Sequence, residues 1–209
     1  MKVIFLDNDG VICLSNNWGS RFKKQKEFFT EDNPRKGFGD NGPVRVRFDN
    51  FDKKAIKVLN SILEETGAQI VVSSDWRLHA TLEELGDYYE SQGIIRRPIA
   101  VTDVFSFLRW KEEGFIKDHG EFPWSRQEDL EQTRYFEILR WLKDHEQEVT
   151  HWVAVDDLNM GKHVEHSWRG PYDREEWGLK NFVLTPNSRE GIKQSGIKEK
   201  IIKFLSNDN

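Results

Sequence analysis

The sequence predicts an α/β fold, an open and mostly parallel sheet with a small insertion or cap after the first strand. Three observations carry this expectation. Short apolar runs rich in β-branched residues alternate with segments of helical apolar spacing, and a parallel sheet covered on both faces needs such uninterrupted strands. The runs stop on polar residues of one kind: Asp7-Asn8-Asp9, Ser73-Ser74-Asp75 and Asp156-Asp157. Residues 14–54 break the alternation with asparagines, glycines, prolines and mixed charge.

In chain order, KVIFL at 2–6 reads as a buried strand ending at Asp7. The insertion at about 14–54 follows, with a short helix expected at 21–29. Ala55, Ile56, Val58, Leu59, Ile62 and Leu63 recur at helical spacing, and Gly67 is a suitable stop. AQIVVSS at 68–74 is the second strand, residues 79–92 the next helix (Leu82, Leu85 and Tyr89 on one face), and Ile99 to Thr102 a third strand. Residues 103–126, punctuated by Gly114, Gly120 and Pro123, read as a second insertion. Periodicity returns as a helix at 130–143, then strands at 149–155 and 181–185. A closing helix over 192–205 is broken near Gly196. Right-handed crossovers would gather the strand ends at one edge, where ligands bind in open sheets.

Composition bounds the function. The 209 residues suit one α/β domain spanning 1–209. A net charge of -5 argues against coating nucleic acid by bulk electrostatics. It does not exclude an enzyme acting on one nucleotide or one nucleic-acid end. Residues 21–54 carry ten basic side chains against six acidic ones, which could attract an anionic substrate or simply form a solvated basic loop. Cys13 is the single cysteine and reads as a small buried residue, so neither a disulfide nor a Cys-rich zinc site is expected. No run of 18 apolar residues and no signal-type leader is evident. A cytoplasmic enzyme without membrane contact or obligate protein partner is the expectation. No GxxxxGK[ST] loop is present, so a fused kinase is not supported.

The three polar strand ends could simply cap helices and form turns. Together on one edge they suggest chemistry. Carboxylates are hard oxygen ligands for Mg²⁺, and a further carboxylate can attack phosphorus. Gly10 lets the backbone turn tightly after the acids, Ser73 can donate to a phosphate oxygen, and a Lys or Arg can balance transition-state charge.

DNDGV at 7–11, VVSS at 71–74 and VAVDD at 153–157 resemble motifs of the haloacid dehalogenase-like (HAD) phosphatase superfamily. SSDWR at 73–77, the Arg in TRYFEILRWL and HWVAVDD look like the phosphatase domain associated with RNA-repair proteins. The resemblance implies a three-layer Rossmann-like open parallel sheet. It implies Asp7 as nucleophile forming an aspartyl-phosphate, and Asp9 as general acid and then base. Mg²⁺ would be held by Asp7, the Asp9 backbone carbonyl and Asp156, with Asp157 assisting. Ser73 fits the second motif best, with Ser74 open as an alternative. Arg134 is the expected basic residue, with Lys162, and more weakly Lys143 and Lys111, as alternatives. Gly10, Ser74 and Arg77 are substrate-binding candidates, although a surface salt bridge is nearly as good a reading of Arg77, and Trp76 reads as packing at the core or rim. His163 and His166 read as an ordinary polar loop. The implied activity is phosphomonoester hydrolysis on a nucleic-acid 3′-end or a nucleotide. A small-metabolite phosphatase, a phosphotransferase and a non-catalytic phosphate-binding module are the other readings.

Overall fold

The computed structural model describes residues 1–37, 39–106, 109, 112, 127–161 and 178–206. The expected Lys162 and Lys111, the His163–His166 segment and most of the second insertion lie outside them. Five strands, β1 (Lys2–Leu6), β2 (Gln69–Val72), β3 (Ala100–Val101), β4 (His151–Asp156) and β5 (Phe182–Leu184), form one sheet in the order β3-β2-β1-β4-β5. Every pairing is parallel. The order reverses between β1 and β4, which makes their carboxyl ends the switch point where open α/β sheets bind ligands.

Side chains alternate across each strand, so two cores form. Ile4, Leu6, Ile70, Val72, Val153 and Val155 face one side and pack against α3 (Lys53–Thr66), α4 (Leu82–Ser91) and α6 (Ile197–Leu205). Val3, Phe5, Val71 and Ala154 face the other and meet α5 (Gln127–Asp144) through Ile138 and Trp141. Phe5 sits edge-on to Trp141, ring centroids 5.3 Å apart. Helix, sheet, helix: the expected three layers are present.

Local chemistry explains the boundaries. Asp52 caps α3 by accepting from the Lys54 and Ala55 amides, and Gly67 closes it at φ 71°. Thr81 and Glu84 form a reciprocal capping box, so α4 starts at Leu82 while residues 75–78 make a separate 3-10 turn. At the C-terminal side the expected break falls at Gly196, φ 82°, between a 3-10 turn at Gly191–Lys193 and α6 from Ile197. The third strand is shorter than expected, with only Ala100–Val101 paired to β2.

The first insertion carries α1 (Ser20–Phe28) and α2 (Val44–Arg47). It is tied down rather than loose. Arg47 donates to both Glu84 oxygens at 3.0 Å, and the Arg21 amide donates to Asp49 at 2.7 Å. The Asp52 amide donates to the Ile12 carbonyl at 2.8 Å, joining the far end of the insertion to the loop after β1.

Candidate active site

Register builds the site. Leu6 pairs with Val72 on one side and Val155 on the other, so the next residues, Asp7, Ser73 and Asp156, stand on one rung. The Asp7 amide donates to Val155 O and the Ser73 amide to Leu6 O, which locks that rung. Beyond it, the Asn8 carbonyl accepts from the Val11, Ile12 and Cys13 amides, and the chain turns at Gly10 with φ 70°. Asn8 itself is buried, its Oδ1 accepting from Tyr89 at 2.5 Å.

Gly10 is required for a second reason besides its positive φ. A Cβ there would lie 2.1 Å from Asp157 Oδ2. The close approach brings Asp157 to Asp7 and Asp156, and one carboxylate oxygen from each of the three lies within 4.8 Å of the others. This carboxylate cluster can coordinate a divalent metal. The Asp9 carboxylate stands apart from it, with its Oδ2 accepting from the Trp76 indole at 2.8 Å.

The buried Arg134 guanidinium faces the cluster. Its Nη1 donates to Asp7 Oδ1 at 3.2 Å, Asp156 Oδ2 at 3.4 Å and the Ser73 carbonyl; Nη2 donates to Asp75 at 2.9 Å. Lys143 is exposed in the last turn of α5 and is not brought here. Ser73 Oγ is buried at the same rung with no hydrogen-bond partner among the described residues, so its hydroxyl is available to a ligand. Ser74 Oγ is buried and likewise without a hydrogen-bond partner of good geometry among the described residues, and it lies close enough to Asp7 to favour the charged form. Thr185 Oγ1 donates to the Gly10 carbonyl at 3.3 Å.

Electrostatics follow from crowding. Burial pushes the Asp7 carboxyl up to about 7, with Asp157 and Asp9 adding repulsion and Arg134 opposing it. Asp156 is raised by burial and by Asp7, Asp157 by burial and by Asp9, and Asp9 by burial against the Trp76 hydrogen bond. Burial works against the charge of Arg134, but Asp156, Asp7, Glu137 and Asp75 outweigh it and raise its pKa. Asp7, Asp156 and Asp157 thus share the Arg134 guanidinium, an imbalance that a divalent cation would correct.

Arg77, expected at the substrate or in a surface salt bridge, is placed in a buried one. It donates to Glu137 at 2.6 Å from a side chain only 3% exposed. Glu137 also accepts from the Phe105 amide at 2.9 Å and lies 3.6 Å from Arg134 Nε, so Arg77 stands one ion pair behind the cluster. Sequence reasoning missed Glu137. Its signal was spacing, since Arg134, Glu137, Ile138 and Trp141 fall on one buried helical stripe. Also missed was the Trp76 bond to Asp9. Trp76 does pack, stacked on Phe48 at 4.4 Å, but its N–H is spent on Asp9.

No helix among the described residues is long and apolar enough to cross a membrane. A family model described as the HAD domain in Swiss Army Knife RNA repair proteins matches residues 3–194. No curated protein and no solved structure matches the chain significantly.

Proposed function

The chain belongs to the family of HAD domains in Swiss Army Knife RNA repair proteins, an enzyme of the HAD phosphatase kind, and from that premise we propose that it is a Mg²⁺-dependent phosphomonoesterase acting through an aspartyl-phosphate on a nucleic-acid 3′-phosphate or a nucleotide. One observation carries the reading: the Asp7, Asp156 and Asp157 oxygens converge within 4.8 Å beside Arg134 at the switch point of the sheet.

The donor set fits Mg²⁺. It offers hard carboxylate oxygens, two of the three residues are buried, and a single guanidinium balances them. Asp7, Asp156 and Asp157 would hold the ion, with the Asp9 backbone carbonyl as a further donor. When bound, the ion lowers the repulsion between the Asp7 carboxylate and an incoming phosphate dianion.

The chain's own residues then divide the work. An Asp7 oxygen attacks phosphorus and the bond to the leaving oxygen breaks. Asp9 gives its proton to that oxygen, so the alcohol leaves neutral. Its raised pKa, caused chiefly by burial, suits a carboxyl that must first carry a proton. The Trp76 N–H holds Asp9 Oδ2, and the Cys13 thiol also lies within hydrogen-bonding reach of the carboxyl, which fixes its position. Asp9 next takes a proton from water, the oxygen of which attacks phosphorus; the bond to Asp7 breaks and phosphate leaves. Ser73 Oγ donates to a phosphoryl oxygen, and the Arg134 fork steadies the developing charge.

The basic insertion beside Asp9 and the family's description favour a nucleic-acid end over a sugar phosphate. A cytoplasmic setting accompanies this reading, the one thiol, Cys13, being free and buried. The test is rapid quench with a labelled 3′-phosphorylated oligonucleotide in Mg²⁺. Label is expected on Asp7 and absent in Asp7→Asn. Near-normal turnover by purified D7N protein would sink the nucleophile assignment.

A further inference from the structure

Next to Asp9 lies a cleft of about 410 Å³ between the first insertion and the turn after β2. Asp9, Asp75 and Trp76 line it from the loops after β1 and β2, and Arg21, Phe22 and Gln25 of α1 with Asn41 line it from the insertion. A volume of this order is that of a small-ligand pocket. On the proposed chemistry Asp9 protonates the leaving oxygen, so whatever is attached to that oxygen enters this cleft.

The insertion side of the cleft, with Arg21 set against the acids of the opposite loops, suits a flat group joined to an anion. Phe22 is 63% exposed, on a helix whose other residues are mostly charged or polar. The guanidinium of Arg21 stands 5.1 Å from the ring centroid. Its backbone amide is taken by Asp49, while its side chain has no hydrogen-bond partner among the described residues. Gln25 accepts from Arg35 at 2.8 Å, which leaves its amide N–H groups to donate. Trp76 and Phe48 cannot offer a face, being buried and stacked on each other. Of the rings that line the cleft, this leaves Phe22, with the smaller exposed imidazole of His79 as the other ring.

We propose that this cleft is a subsite for one unpaired terminal nucleotide, its base stacked on Phe22 and the adjoining phosphodiester paired with Arg21. The assignment rests on the phosphatase reading above and narrows it. Ring faces stack any base, whereas a base held in a duplex keeps its faces against its neighbours. The preferred substrate is accordingly a single-stranded end, with little sequence preference.

The experiment compares kcat/KM for a single-stranded 3′-phosphorylated dinucleotide and for glycerol 2-phosphate, in Mg²⁺. The wild type is expected to favour the dinucleotide. Phe22→Ala and Phe22→Leu are expected to cut that ratio by on the order of tenfold, mainly through KM, and Phe22→Tyr to preserve it. Arg21→Ala is expected to flatten the salt dependence for the dinucleotide by roughly 0.7 in log–log slope, the share of one single-strand phosphate contact. Turnover of both substrates with a Phe22→Ala ratio equal to the wild type overturns the subsite alone. Turnover of neither by the wild type overturns the phosphatase reading and the subsite with it.

Discussion

Gly10→Ala separates backbone strain from crowding at the site. Gly10 has φ 70°, and a Cβ added there would sit 2.1, 2.5 and 2.8 Å from Oδ2, Cγ and Cβ of Asp157. Rotation could carry the carboxylate away, but Asp157 Cβ is fixed to the backbone, so the loop after β4 must shift. Gly67 is the natural control. Its φ is 71°, yet an added Cβ meets nothing within 4 Å. Gly67→Ala is expected to lose about 1–2 kcal/mol from left-handed strain alone. Gly10→Ala should lose about 1–3 kcal/mol more from overpacking. For a chain of this size each kcal/mol is roughly 2–4 °C in Tm. Because the collision moves Asp157 out of the carboxylate cluster, the Mg²⁺ needed for half-maximal turnover should rise by on the order of tenfold in Gly10→Ala. It should not rise in Gly67→Ala. Thermal melts and Mg²⁺ titrations of both variants give the answer. If Gly10→Ala melts with Gly67→Ala and needs no more Mg²⁺, the packing of Asp157 under the turn does not shape the metal site.

Three further outcomes are expected. Asp156→Ala should raise the Mg²⁺ requirement by on the order of tenfold or more; an unchanged titration contradicts its ligand role. Arg134→Ala leaves Asp7 and Asp156 buried without their shared countercharge, while Glu137 keeps Arg77, so metal-free protein should lose about 3–5 kcal/mol in denaturant melts, and a loss near zero would show that the fork does not hold the cluster together. Burial raises the Asp7 carboxyl from 3.8 to about 7, so the folded chain holds that proton more tightly than the unfolded one; the stabilisation is complete below the unfolded value and lost as pH rises through about 7. Metal-free protein should therefore melt lower at about pH 8 than at about pH 5, with Mg²⁺ narrowing the gap; a metal-free melting profile rising over that window would refute the sign.

The sequence alone placed Asp7, Ser73 and Asp156 at strand ends, because both signals are local. Apolar β-branched runs mark strands, and the polar residue after each marks its exit from the sheet. Helix boundaries were readable where caps are local too, as at Gly67 and Gly196. Other features needed the third dimension. Strand order and register set Asp7 on the rung of Ser73 and Asp156, and hydrogen bonds between segments far apart in the chain fix that register. Periodicity on α5 says that the stripe through Arg134 and Glu137 is buried, not what it meets. Only docking of that helix on the sheet brings Arg134 to a carboxylate 127 positions away and puts Arg77 behind Glu137 rather than at the surface. The same holds for the cleft, where α1 and the turn after β2 meet beside Asp9. Spacing along a chain encodes which face turns inward, whereas the partner of a buried charge is chosen when the faces close and water leaves.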